Sequence, residues 1–180
     1  MCISVVCGNV HENKPPTMRI KIIITGGTID KQYSTRNNGS FVFEKSHIPQ
    51  MVKQSRVTLD VALETFMLKD SLYMTPEDRQ HILERCETAE EDRIIITHGT
   101  DTMVETGKVL GKNLKNKTVV LVGALIPYAL GNSDAFFNLG TAFAAVQLLP
   151  HGVYITMNGH IFTWDNVRKN KQLEEFETVT

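Results

Sequence analysis

The sequence predicts an α/β fold, a three-layer α/β/α arrangement around a mostly parallel sheet. Three observations carry this reading. Continuous β-branched runs such as Ile22-Ile23-Ile24 and Ile94-Ile95-Ile96 are the pattern of strands buried on both faces. Longer helical segments alternate with these runs, as in a parallel sheet covered on both sides. Two of the runs empty into small hydroxyl-bearing turns, Thr25-Gly26-Gly27-Thr28-Ile29-Asp30 and Thr97-His98-Gly99-Thr100-Asp101-Thr102-Met103. In open α/β sheets the carboxyl ends of the strands are where ligands and chemistry collect.

Residues 1–17, MCISVVCGNVHENKPPT, lack the basic start and long apolar stretch of a secretory leader, and Pro15-Pro16 blocks both helix and central strand. We read 1–17 as a flexible N-terminal extension and 18–180 as one domain. Ile20 to Thr25 is the first strand. Gln32 to Glu44 carries Tyr33, Phe41, Val42 and Phe43 around Asn37-Asn38-Gly39, whose Asn-Gly pair signals a hairpin loop. His47 to Gln54 is a short helix and Leu59 to Met67 the second strand. Thr75 to Glu91 is a helix with a clear start: Thr75-Pro76-Glu77-Asp78 supplies a capping hydroxyl, a proline at the first helical position and acid in the first turn. Arg93 to Thr97 is the third strand, Asp101 to Asn113 a helix, Thr118 to Val122 the fourth strand and Ser133 to Leu149 a largely buried helix. Val153 to Met157 is the fifth strand, joined across Asn158-Gly159 to His160–Thr163 by a two-residue hairpin signal. Asn166 to Thr180 is polar and shows no obvious core.

Among 180 residues, 19 basic side chains stand against 20 acidic ones, which removes the electrostatic argument for nucleic acid or an anionic membrane. No apolar run approaches the ~18 residues of a spanning helix. The three cysteines, Cys2, Cys7 and Cys86, have neither the even number of a disulfide framework nor the spacing of a zinc site, which fits a reducing cytoplasm. The expected partner is a small-molecule substrate.

The glycine pair Gly26-Gly27 lets the chain leave the strand in conformations a side chain forbids and exposes backbone N–H groups. Thr28 then stands at the strand's end, where its hydroxyl can attack a carbonyl once a base removes the proton. A glycine-rich turn after a first strand also suits a phosphate. The second turn sets the Thr100 hydroxyl beside the Asp101 carboxylate, although Asp101 also has the ordinary reading of a helix cap. His98 reads as a buttress of this turn rather than a base, and the remaining histidines have no ligand spacing.

IIITGGTIDK together with IIITHGTDTM resembles the asparaginase/glutaminase family, whose N-terminal domain carries one threonine in each of these turns. The likeness continues through LKDSLYMTPEDRQHI (68–82), SDAFFNLGTA (133–142) and MNGHIFTWDNVRK (157–169). It implies a flavodoxin-like catalytic domain over 18–180, of the short, single-domain, type I-like kind with the C-terminal domain absent. It also implies hydrolysis of L-asparagine to L-aspartate and ammonia, with L-glutamine as the alternative amide and no cofactor or metal.

By that resemblance Thr28 is the acylated nucleophile. Thr100, Asp101 and Lys169 form a buried proton relay, for which a lysine beside a carboxylate in a low-dielectric site is suited. Tyr33, five residues after Thr28, matches the tyrosine of the family's mobile flap and would help activate Thr28; its other reading is packing under the hairpin. Ser71 would hold the substrate α-carboxylate and Asp101 its α-ammonium, while backbone N–H groups near Gly27 and Thr100 would stabilise the oxyanion. Leu72 and Tyr73 replace polar residues that relatives often carry after this serine, a departure that bears on how the α-groups are gripped. Typical relatives add a second domain that completes the site across a subunit interface, so the expectation is a homo-oligomer or a lower affinity. Two rivals stand beside hydrolysis: an asparaginase-like binding or amidotransferase-associated domain, and a phosphate or nucleotide binder using the TGGT turn.

Overall fold

The isoleucine and valine runs become the spine of a six-stranded sheet in the computed structural model, which describes residues 18–180. The expected extension 1–17 lies outside the described residues. In chain order the strands and α-helices are β1 (Arg19–Gly26), β2 (Gln32–Ser34), β3 (Ser40–Val42), α1 (Ile48–Gln54), β4 (Asp60–Lys69), α2 (Pro76–Thr88), β5 (Arg93–Thr97), α3 (Met103–Asn113), β6 (Thr118–Val122), α4 (Ala135–Leu148), β7 (Gly152–Met157), β8 (His160–Thr163), β9 (Arg168–Asn170) and β10 (Glu175–Glu177). The pairs β2–β3 and β9–β10 are short hairpins outside the main sheet. The main sheet has the order β4-β1-β5-β6-β7-β8, parallel throughout except for the antiparallel β7–β8 pair.

The chain steps outward from β1 to β4, then crosses back over β1 to β5. Counting the five parallel strands in chain order gives 2-1-3-4-5, the flavodoxin-like order, in which the reversal of direction opens a crevice at the carboxyl ends of the two strands flanking the switch. Here those strands are β1 and β5, and they carry the two threonine turns. Register holds them level, with Ile24 opposite Thr97.

Alternate residues of the central strands feed two cores. Ile23, Ile94, Ile96, Val119, Leu121 and Ile155 pack beneath Ile82 and Leu83 of α2 and Met103 and Leu110 of α3. Ile20, Ile22, Ile24, Ile95, Val120 and Val122 pack beneath Ile48 and Met51 of α1 and Leu139, Phe143 and Val146 of α4. These are the predicted three layers. Helix α2 starts as the sequence implies: Thr75 Oγ1 accepts from Asp78 N, Asp78 Oδ2 accepts from Thr75 N, and Pro76 takes the first position, a reciprocal capping box.

The largest difference from the sequence expectation is the polar tail. Residues 166–180 form the β9–β10 hairpin, and Val167 and Phe176 are buried in the core beneath α2 and α3. Val167 and Phe176 together seat the hairpin from within a run of polar and charged residues. The short hairpin β2–β3 forms where Asn38-Gly39 signals it, with both residues at positive φ, 53° and 73°.

Candidate active site

Three turns meet at the crevice. Gly26 and Gly27 leave β1 at φ 94° and 82°, and Gly27 N donates to Lys69 O at the end of β4. A Cβ on Gly27 would stand 2.3 Å from Gly99 N, and a Cβ on Gly99 would stand 2.4 Å from Ser71 Oγ. Neither approach tolerates a side chain. Glycines therefore bring the β1 turn against the β5 turn, and the β5 turn against the β4 turn. Thr28, Thr100 and Ser71 are drawn to one rim by these close approaches.

Thr28 opens a single 3-10 turn, Thr28–Asp30, in which Lys31 N bonds back to Thr28 O; its side chain is half-buried. Thr100 is buried, and its Oγ1 accepts a hydrogen bond from Lys169 Nζ at 2.8 Å. The same ammonium donates to Asp101 Oδ1 at 2.7 Å. The residue at the cap of α3 is Thr102, which makes no side-chain capping bond, and Asp101 faces Lys169. Lys169 comes from β9, and across the hairpin it is paired with Phe176. The buried aromatic thus anchors the strand that delivers the lysine.

Ser71 is 1% exposed and its Oγ has no hydrogen-bond partner among the described residues. Its carbonyl accepts from Thr102 Oγ1 at 2.8 Å, tying the β4 turn to the β5 turn a second time. Asp70, just before it, caps the short Ser71–Tyr73 turn by accepting from Leu72 N and takes Lys31 Nζ at 2.6 Å. Leu72 and Tyr73 stand out from the rim, 64% and 74% exposed.

His98 buttresses the turn as expected: its Nδ1 lies 2.8 Å from Gly99 O and its Nε2 2.8 Å from Thr106 Oγ1. Complete burial pushes its pKa down to about 4, so it is neutral and fixed at pH 7. Tyr33 sits on β2, 55% exposed, edge-on to Phe41, with its hydroxyl over Gly39. In this conformation it makes no hydrogen bond to Thr28.

The residues that only the structure exposes are Asp30, Asp70, Gly99 and Thr102. Asp30 is fully buried; its Oδ1 accepts from Ser46 Oγ at 2.9 Å and from His47 N at 2.7 Å. Among the described residues no group of three or more His, Cys, Asp or Glu side chains could hold a metal ion, and no helix is long and apolar enough to cross a membrane. Cys86 is buried without a disulfide, and burial raises its thiol to about 12.

This geometry has relatives. The family described as "Asparaginase, N-terminal" matches residues 19–179. The chain belongs to the asparaginase family. It is 31% identical over 159 residues to L-asparaginase 1 of Escherichia coli K12, covering 83% of this chain and 47% of that one. The thermostable L-asparaginase from Thermococcus kodakarensis superposes with a TM-score of 0.79 at 29% identity, covering 90% of this chain and 51% of that one. A glutamyl-tRNA(Gln) amidotransferase subunit from Methanococcus vannielii is 30% identical over 160 residues, 83% of this chain and 36% of that one. Against the asparaginases it matches, the chain spans about half their length.

Proposed function

We propose that this asparaginase-family chain hydrolyses the side-chain amide of L-asparagine, with L-glutamine as the second candidate, through an acyl-enzyme on Thr28. The observation that supports it most is the Lys169 ammonium shared between Thr100 Oγ1 and Asp101 Oδ1, on the turn that Gly27 abuts. A threonine hydroxyl has one proton to donate. Because Thr100 accepts from Lys169, its own proton points elsewhere, toward whatever basic atom develops in the crevice.

In this reading Lys169 acts first as the free amine. Thr28 Oγ1 attacks the amide carbon, and its proton passes to Thr100 Oγ1, directly or by way of the Tyr33 hydroxyl, which gives up one proton as it takes one. Thr100 hands its own proton to Lys169 Nζ. Backbone N–H groups near Gly27 and Thr100 take the oxyanion, a contribution of about 3 kcal/mol per donor. Lys169, through Thr100, protonates the departing amine so that ammonia leaves, and water then hydrolyses the acyl-threonine by the reverse traffic. Tyr33 reaches Thr28 only if the β2–β3 hairpin closes over the crevice. Ser71 Oγ supplies a donor for the α-carboxylate and Asp101 an acceptor for the α-ammonium; a buried unpaired charge on either side would penalise substrates lacking these groups.

Homo-oligomerisation and a cytoplasmic location belong to the same proposal. The exposed rim residues Leu72 and Tyr73 favour a second surface over the site. The structural neighbour from Campylobacter jejuni, described as a probable cytoplasmic L-asparaginase, is 30% identical with a TM-score of 0.73, covering 89% of this chain and 51% of that chain. The similarity to an amidotransferase component supports one second reading, in which the chain delivers ammonia inside an assembly. Ammonia release by the purified chain supplied with each amide distinguishes the two, since the second reading expects little turnover from the chain alone.

A further inference from the structure

Asp30 is a fully buried carboxylate at the site that the hydrolytic scheme does not use. It closes the turn that begins at Thr28, and it accepts from Ser46 Oγ and His47 N, where the chain returns from the β2–β3 hairpin to enter α1. Residues 31–46 are therefore a loop whose returning end is clasped by this side chain. The outgoing end is held separately, by Lys31 Nζ on Asp70 Oδ2, next to Ser71. Between these two clasps the hairpin is exposed along most of its length.

We propose that Asp30 is a positioning residue whose ionised carboxylate buckles the returning end of the hairpin lid to the Thr28 turn, so that protonation slackens the lid. The proposal rests on the hydrolytic reading for its effect on activity, and on geometry alone for its effect on the lid.

The physical basis is the strength of the two bonds. Both donors meet a single oxygen, Oδ1, while Oδ2 is buried without a partner among the described residues. Hydrogen bonds to an ionised acceptor are about twice as strong as neutral ones, so a proton arriving on the free Oδ2 weakens both at once. Burial raises the Asp30 pKa to about 6, against the lowering effect of the His47 and Ser46 bonds, which puts the change within reach of mild acid. When the returning end lets go while Asp30 stays buried in its turn, the two lowering bonds are lost and the burial remains. The slackened lid then binds the proton more tightly than the buckled one, so acid favours release.

The titratable groups on the joined segments are Lys31, ion-paired to Asp70, Tyr33, Arg36, Glu44, Lys45, and His47, which burial and Lys45 hold below its usual value. From the neighbouring 3-10 turn Tyr128–Leu130, Tyr128 faces the same region with its hydroxyl bonded to Gln54 Oε1. None of these side chains pairs with the Asp30 carboxylate.

Hydrogen exchange on the full chain tests the lid directly. In wild type, protection factors for amides of residues 32–42 should fall about tenfold from pH 7.5 to pH 5 while those of β5 and β6 hold; in Asp30→Asn they should be equally low at both pH values. Kinetics on asparagine gives the second readout: wild-type kcat/KM should show an acid limb near pH 6, and Asp30→Asn should lose that limb and raise KM about tenfold with a smaller change in kcat. A hairpin in wild type whose protection is indifferent to pH overturns the proposal, and so does a pH response that Asp30→Asn retains. If wild type releases no ammonia from either amide, the hydrolytic reading fails, while the exchange data still decide the buckle.

Discussion

Gly27 and Gly99 meet backbone to backbone, so closely that a Cβ on Gly27 would lie 2.3 Å from Gly99 N. This contact, together with the hydrogen bond that Thr25 Oγ1 donates to Thr97 O at 2.6 Å, sets the two threonine turns side by side. Gly27 is also held at φ 82° and ψ −177°, a region essentially reserved for glycine, where an L side chain costs about 1–3 kcal/mol. The overpacking adds about 1–3 kcal/mol.

Gly27→Ala should accordingly lower stability by roughly 2–6 kcal/mol in urea denaturation and reduce kcat/KM at least a hundredfold, because the turns must part. Wild-type stability and activity in this variant would mean that the contact does not position the site.

Lys169→Met should reduce kcat by about 10²–10⁴, the range for a positioned proton carrier, with a smaller effect on KM. Lys169→Arg should not rescue it, because a guanidinium does not give up its proton. Steady-state kinetics with both variants checks this, and a kcat within threefold of wild type for Lys169→Met would remove the relay.

Phe176→Ala should cost about 3–5 kcal/mol, as for a buried aromatic, and should also lower activity, because Phe176 pairs with Lys169 across the β9–β10 hairpin. Thermal denaturation combined with ammonia release at low temperature separates the two effects. A destabilised variant with full turnover would show that Lys169 is held without that anchor.

Asp30 and His98 pull stability in opposite directions with pH. The Asp30 pKa rises from 3.8 to about 6 on folding, so its contribution is full below pH 3.8 and is lost as pH rises to about 6. The difference corresponds to about 3 kcal/mol. His98 falls from 6.5 to about 4, so its contribution is full above pH 6.5 and is lost as pH falls to about 4. The two nearly cancel between pH 4 and 6. Asp30→Asn removes the Asp30 share, so it should gain stability relative to wild type as pH rises from 4 to 7, and its melting temperature should climb more steeply with pH across that window than the wild-type one.

The sheet was legible because its strands are written in isoleucine and valine, and periodicity of that strength leaves one architecture. The two threonine turns were legible because glycine and threonine at the end of a strand restrict what the chain can do. Other parts of the site depend on contacts far apart in sequence. Nothing local marks Asp30 as the clasp of residues 31–46, and its partners lie 16 and 17 residues away. Phe176 looks like an isolated apolar residue until β10 folds against β9. Asp101 reads as readily as a helix cap as it does a lysine partner, and only the position of Lys169, 68 residues on, decides between them.

Acid-quenched mass spectrometry with peptide mapping, on enzyme turning over saturating L-asparagine, tests the central claim most directly. The account predicts an aspartyl ester on the peptide containing Thr28, and none in Thr28→Ala, which should also release no ammonia. An ester on Thr100, or ammonia release by Thr28→Ala at the wild-type rate, would contradict it.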